Sequence, residues 1–404
     1  MLTVEEALAE VLSQVPVMPS EKVGILQALG RVLAEEVASP RDLPPYDVSQ
    51  MDGYALRAAD VRQASPSSPV KLSIVARSVA GKGADRPIGP GEAARVTTGA
   101  PIPAGADAVV MQEETEREGD TLRVKLASGQ RDFIRSQGAD VHAGDRVLVP
   151  GALLSPAHVA LLASLGRSQV RVHQRPRVAI LSTGDELCDL DELDIGGRLV
   201  DSNTWALCAL VLAAGGEPVR LGLAKDDPEE IARRLSDASR CDVVLTSAGV
   251  SVGDRDYVKE VLGKLGVELR FWRVAMKPGK PLAFGTRGTQ LFFALPGNPT
   301  SAMVSFEQFV RPALLKMGGR QSLARPLMKA TLDGTLSKKK GLVHFVRART
   351  QVVDGALVAK PVGRQDSGLI SSMAEADSLI VLPADLERVE PGGEIRVQLL
   401  DGGR

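Results

Sequence analysis

Several features that commonly announce a function are scarce or missing in this sequence. Lysine plus arginine (49) is matched by aspartate plus glutamate (50), so there is no basic excess of the kind that neutralises a nucleic-acid backbone. No nucleic-acid partner is expected. The longest apolar run, "WALCALVLAA" from Trp205, has ten residues, about half of the roughly 20 needed to span a bilayer, so no membrane partner is expected either. The chain opens on an acidic amphipathic helix without a basic-then-apolar leader, which makes the cytoplasm the expected location. Cysteine is limited to Cys188, Cys208 and Cys241, without C-x-x-C spacing, and His142, His158, His173 and His344 are scattered. A thiolate or imidazole metal centre therefore has little support, and the cysteines read as buried and inert.

What is present points to a multidomain globular chain. At 404 residues with 44% apolar content, it is too long for one ordinary core and predicts two to four domains. "TVEEALAEVLSQV" reads as an amphipathic helix with a Thr3–Glu6 capping box. A second helix is expected from about Leu26 to Glu36, ended by Pro40, Pro44 and Pro45. Residues 45–139 read as a β-rich insert of short strands between Gly and Pro turns. "SPAHVALLASLG" then supplies an N-cap, a first-turn proline and a glycine stop for one more helix. Residues 1–44 and 140–174 are thus expected to form one discontinuous, elongated helical domain.

After Arg175 the pattern alternates between continuous apolar strands and amphipathic helices, the signature of a parallel sheet covered on both faces. The expected fold class is multidomain α+β and α/β. A central, doubly wound parallel α/β domain is expected at 175–323, and a C-terminal β-barrel-like domain at 324–404, where "VVDGALV" carries a hairpin signal at Asp354-Gly355.

Ligands of open α/β sheets bind where loops converge at the carboxyl ends of the strands. Four loops stand there: "STGDEL" from Ser182, "TSAGVSVGDRDY" from Thr246, "KPGKP" from Lys277 and "PGNPTS" from Pro296. Each holds glycine, which lets backbone N–H groups approach an anion, and two lead into helix N-termini. Lysines among them suit phosphate oxygens, whereas Asp185, Glu186, Asp254 and Asp256 suit a divalent metal bridging those oxygens. Taken singly, "KPGKP" is equally an exposed turn, "STGDEL" an ordinary cap and "PGNP" a helix start; their shared location gives them weight. Neither a Walker P-loop nor a G-x-G-x-x-G pattern occurs in these loops. Outside this domain, "YDVSQMDGYAL" contains Asp52 beside Gly53 and two of the three tyrosines, and "RVTTGAPIPAGAD" contains Thr97 and Thr98 before a glycine.

"SQMDGYAL", "RVTTGAPIPAGADAVV", "STGDEL", "GVSVGDRDYV", "KPGKP" and "LPGNPTSA", in this order and spacing, resemble the molybdopterin molybdenumtransferase family, which includes the C-terminal domain of gephyrin. The resemblance covers essentially the whole chain. It implies insertion of molybdate into adenylylated molybdopterin, giving molybdenum cofactor and releasing AMP, with Mg2+ as cofactor. It also implies elongated homodimers of four-domain subunits with the active site in a cleft between subunits, and upstream and downstream proteins of cofactor synthesis as partners. The catalytic positions it implies are Asp52, Thr98, Glu186, Asp256, Lys277 and Lys280, with Glu186, Asp256 and Asp52 as metal ligands. Substrate-binding positions are Asp140, Thr183, Gly184, Asp185, Asp226 (or Asp227), Ser247, Gly249, Ser251, Pro296, Gly297, Asn298 and Pro299, with Arg135 a weaker match. Molybdate oxygen would itself attack the adenylate phosphorus, so no nucleophilic side chain is needed. The sequence departs from the family pattern at Ala248, where relatives carry glycine, and at Asp366 and Asp377, beside Ser367 and Ser371. The rival readings are a molybdopterin adenylyltransferase, whose domain resembles residues 175–320, and a non-catalytic scaffold of gephyrin type.

Overall fold

The structure, a computed structural model, describes residues 1–190, 192, 197–248 and 257–400. It divides into two compact units: Met1–Ala34 with Gly151–Val159 and Gln169–Arg404, and Glu35–Pro150 with Ala160–Ser168.

The first unit is built around a six-stranded sheet. Its strands are β1 (Arg177–Thr183), β2 (Glu217–Ala224), β3 (Val243–Ser247), β4 (Glu268–Arg273), β5 (Pro281–Arg287) and β6 (Gln290–Leu295), in the order β2-β1-β3-β6-β5-β4. β2, β1, β3 and β6 run parallel, as the alternating strand and helix pattern requires. β5 differs from that expectation: it is antiparallel to both β6 and β4, so β4 runs in the same direction as β6. The reason is connection length. A parallel neighbour needs a crossover of a dozen or more residues, whereas only Gly288 and Thr289 separate β5 from β6, enough for a hairpin alone.

Alternation along the strands divides the core between the two faces of the sheet. Val178, Ile180, Leu245 and Phe293 pack with Ala7 and Val11 of α1 (Val4–Gln14) and with residues of the later helices. The later helices are α2 (Pro156–Ser164), α3 (Ser202–Ala213), α4 (Pro228–Ser236), α5 (Tyr257–Lys264), α6 (Pro299–Ser305), α7 (Arg311–Met317) and α8 (Ile370–Glu375); of these, α3 gives Leu207 and Val211, α6 Ala302 and Val304, and α7 Ala313 and Leu314 to this face. Ala179, Leu181, Val244 and Phe292 face the other way, toward Ile231 and Leu235 of α4 and Val258 and Val261 of α5. Each fully buried Leu, Ile, Val or Phe stabilises by about 1.5–3 kcal/mol relative to exposure. The Thr3–Glu6 capping box of α1 forms as the sequence indicates.

The expected helix from Leu26 to Glu36 does not form. Ser20–Gly24 is a strand paired antiparallel with Gln169–His173, turns follow, and Gly30 takes a left-handed φ of 74°. Val32 and Leu33 then bridge to Leu153 and Val172. The segment between the two glycines is too short to nucleate a helix by itself, and the β-branched and apolar residues beyond it find strand partners.

The C-terminal part of this unit closes into a five-stranded barrel from Leu327–Leu332, Val343–Val353, Ala356–Pro361, Ser378–Leu382 and Glu394–Leu399. The hairpin at Asp354 and Gly355 forms with positive φ at both residues (50° and 79°), as the sequence signal requires.

The second unit holds a six-stranded sheet ordered 108–111, 53–56, 92–96, 70–78, 121–124, 115–118. Leu56, Val61, Leu72, Val110 and Leu122 form its core. Among the described residues, no helix of the chain is long and apolar enough to cross a membrane.

Candidate active site

β1, β3 and β6 end side by side, and the turns that leave them border one cleft of about 600 Å3. At the end of β1, Gly184 has φ 149°, and a Cβ there would lie 2.8 Å from the Glu186 carboxylate. Glycine is therefore needed for Glu186 to fold back beside the turn. The Glu186 carboxylate borders the cleft and accepts no hydrogen bond among the described residues. Asp185, one position earlier, accepts a hydrogen bond from the Asp226 N–H at 3.3 Å. Asp227 caps α4 by accepting from the Glu230 N–H at 3.0 Å, so of the alternative pair it is the neighbour of Asp226 that serves the helix.

β3 ends at Ser247, and Ala248 follows with φ 83°, a conformation costing a residue with a Cβ about 1–2 kcal/mol. Its N–H donates to the Leu295 carbonyl at 3.1 Å. The loop after β6 brings Pro296, Gly297, Asn298 and Pro299 to the cleft, with Asn298 as N-cap and Pro299 in the first turn of α6. A Cβ on Gly297 would come within 3.3 Å of the Ala248 methyl, so the two loops touch. From the barrel side, Gly368 and Ile370 complete the wall. The Asn298 side-chain N–H donates to the Ser367 hydroxyl at 2.9 Å, and the Thr300 N–H to the Ser367 carbonyl at 3.2 Å. Ser367 thus holds the loop even though its neighbour Asp366 departs from the family pattern.

"KPGKP" is an anchored loop. Met276 and Lys277 pair with Val343 and His344 of the barrel, the Val274 N–H donates to the Lys280 carbonyl at 3.1 Å, and a Cβ on Gly279 (φ 100°) would strike the Ser305 hydroxyl at 2.5 Å. The Lys277 and Lys280 side chains are exposed, and Pro281 next to them lines the cleft. Burial, with Lys277 and Lys338 nearby, lowers the His344 imidazole to about 4, so it is neutral beside the lysine near pH 7.

Sequence reasoning passed over the start of α3. Asp201 caps it, accepting from the Thr204 N–H at 3.1 Å and the Ser182 hydroxyl at 3.2 Å. Asn203 is buried and also lines the cleft. Its sequence signal, three polar residues ahead of an apolar helix, is that of any helix cap. Thr183 Oγ1 is buried without a hydrogen-bond partner among the described residues.

In the second unit, Asp52 and Thr98 meet. The Thr98 N–H and hydroxyl donate to the same Asp52 oxygen at 2.7 and 3.1 Å. Gly53 follows at the start of the strand 53–56, where a Cβ would sit 2.0 Å from the Val110 carbonyl oxygen of the neighbouring strand. Arg135 pairs with Val48 in a short ladder, and the Asp140 N–H donates to the Leu43 carbonyl at 2.9 Å. Gly249, Ser251, Asp254 and Asp256 lie outside the described residues.

Three family models match the chain end to end. They are the MoeA N-terminal region (domain I and II) over residues 2–166, a probable molybdopterin binding domain over 179–316, and the MoeA C-terminal region (domain IV) over 329–400. The chain belongs to the MoeA family. It is 38% identical to a molybdopterin molybdenumtransferase of Nostoc over 94% of this chain and 88% of that one. It is 36% identical to the protein of that name from Haemophilus influenzae over 98% of both chains. The crystal structure of the molybdopterin biosynthesis MoeA protein of Pyrococcus horikoshii superposes with a TM-score of 0.83 at 33% identity, covering 99% of this chain and 100% of the other.

Proposed function

We propose that this chain is a molybdopterin molybdenumtransferase: it inserts molybdate into adenylylated molybdopterin, forms molybdenum cofactor and releases AMP. The observation that carries this reading is the cleft at the ends of β1, β3 and β6, bordered by Thr183, Glu186, Ser247 and the 296–299 loop, in a chain similar over its full length to proteins of that name. In this reading Lys277 and Lys280 hold phosphate or molybdate oxyanions, each such charged hydrogen bond contributing about 1.5–3 kcal/mol. Molybdate oxygen attacks the adenylate phosphorus and displaces the molybdopterin phosphate, leaving the adenylyl group on molybdate; AMP then departs with that oxygen as molybdenum passes to the pterin. Asp140, Gly184, Asp185 and Asp226 belong to the proposed substrate contacts, and Thr98 fixes Asp52 through the two hydrogen bonds it gives.

Mg2+ fits the donor set. The described residues hold no cluster of three metal-ligating side chains, and Mg2+ is ordinarily held by one or two carboxylates with substrate phosphates and water completing its shell. Glu186, with no hydrogen bond on its carboxylate among the described residues, would hold it with Asp256. When bound, the ion polarises the phosphoanhydride.

We place the protein in the cytoplasm as a homodimer, which sedimentation at micromolar concentration would test. The decisive experiment incubates the protein with adenylylated molybdopterin and molybdate. AMP release that depends on molybdate is expected; formation of the adenylate from ATP would instead favour the adenylyltransferase, and binding without turnover the scaffold.

A further inference from the structure

Asn203 joins two loops that the sequence keeps far apart. One side-chain N–H donates to the Ser247 hydroxyl at 2.7 Å, and the other to the Gly297 carbonyl, also at 2.7 Å. The carbonyl can only accept, which fixes the end of the amide that faces it. Asn203 is 9% exposed, and its Oδ1 is buried with no partner among the described residues. A buried polar group left partly unsatisfied is costly, so this position is not one that folding alone favours.

The consequences converge on the cleft. Ser247 spends a lone pair on Asn203, which leaves its O–H free to donate, and Ser247 lines the cleft. Among the described residues it makes no other side-chain hydrogen bond. The next residue, Ala248, holds a left-handed φ of 83°, and such backbone persists only where neighbours constrain it. Asn203 constrains it from the Ser247 side and, through Gly297, from the loop that the Ala248 methyl touches.

We propose that Asn203 is a positioning residue for the reaction: it presents the Ser247 hydroxyl as a donor to an acceptor oxygen of the bound pterin nucleotide and locks the 247–248 and 296–298 turns into one wall. This rests on the transferase reading above. It is tested on the full chain with Asn203→Ala, Asn203→Asp, Ser247→Ala and the Asn203→Ala/Ser247→Ala pair. Amide hydrogen exchange reports the wall without catalysis. In Asn203→Ala, exchange across 246–248 and 296–298 should rise about tenfold while α4 stays unchanged, one hydrogen bond being worth up to about that factor.

In molybdate-dependent AMP release, KM for the adenylylated pterin should rise about tenfold with kcat changing less than about threefold. The double variant should have the KM of Asn203→Ala. Asn203→Asp should not rescue, because a carboxylate cannot donate to the Gly297 carbonyl. Unchanged exchange, loosening of the whole sheet, unfolding of both Asn203 variants, multiplying KM effects, or a wild-type Asn203→Asp would each overturn the proposal. If the unaltered protein releases no AMP, the transferase reading fails, and the exchange comparison still decides whether Asn203 locks the wall.

Discussion

Two carboxylates expected to serve the same chemistry are held in opposite ways. Asp52, in the second unit, receives an N–H and an O–H from Thr98 on a single oxygen. Glu186, in the first unit, faces the cleft with no hydrogen bond among the described residues. A carboxylate that already accepts hydrogen bonds is oriented before any ligand arrives, whereas one that accepts none keeps its full capacity for a cation or a donor. Preorganisation and vacancy are thus divided between two parts of one chain. A substitution that leaves the fold alone should separate them.

The largest effect is expected at Glu186. Glu186→Gln should lower AMP release by about 10²–10³-fold, the usual cost of losing one electrostatic contact to the reacting groups, with the melting temperature unchanged because no hydrogen bond is lost. Asp52 should behave differently. Asp52→Asn keeps an acceptor for Thr98 and should lose turnover only, whereas Asp52→Ala should also cost the second unit about 1 kcal/mol, visible as a lower denaturant midpoint. Equal stability of the two Asp52 variants would erase the contrast. The smallest effect is expected at Ala248. Ala248→Gly relieves the left-handed strain but adds freedom to the unfolded chain, for a net gain of about 0.5–1 kcal/mol in chemical unfolding.

The loops of the cleft were legible because their residues are constrained by backbone geometry. Gly184 and Gly279 occupy positive φ where a Cβ would collide, and Pro299 opens a helix. Such demands survive in a single sequence. The Leu26–Glu36 helix and the all-parallel sheet were misjudged for another reason. The apolar run at 26–36 satisfies helix or strand equally, and partners remote in sequence, Leu153 and Val172, decided it; in the sheet, strand direction was set by the two-residue β5–β6 connection, which the apolar pattern does not carry. Asn203 and Asp201 escaped notice because polar residues before an apolar helix look like caps. Asp201 is one; Asn203 uses the same place to reach across to Ser247 and Gly297.

The pairing of Met276 and Lys277 with Val343 and His344 ties the barrel to the loop that carries both lysines. A shortened polypeptide ending before Leu327 would retain every letter of "KPGKP" yet release the strand that steadies its first lysine, along with the Ser367 latch on Asn298. Truncation studies that treat the last segment as an appendage would therefore be dismantling the edge proposed to grip the anion.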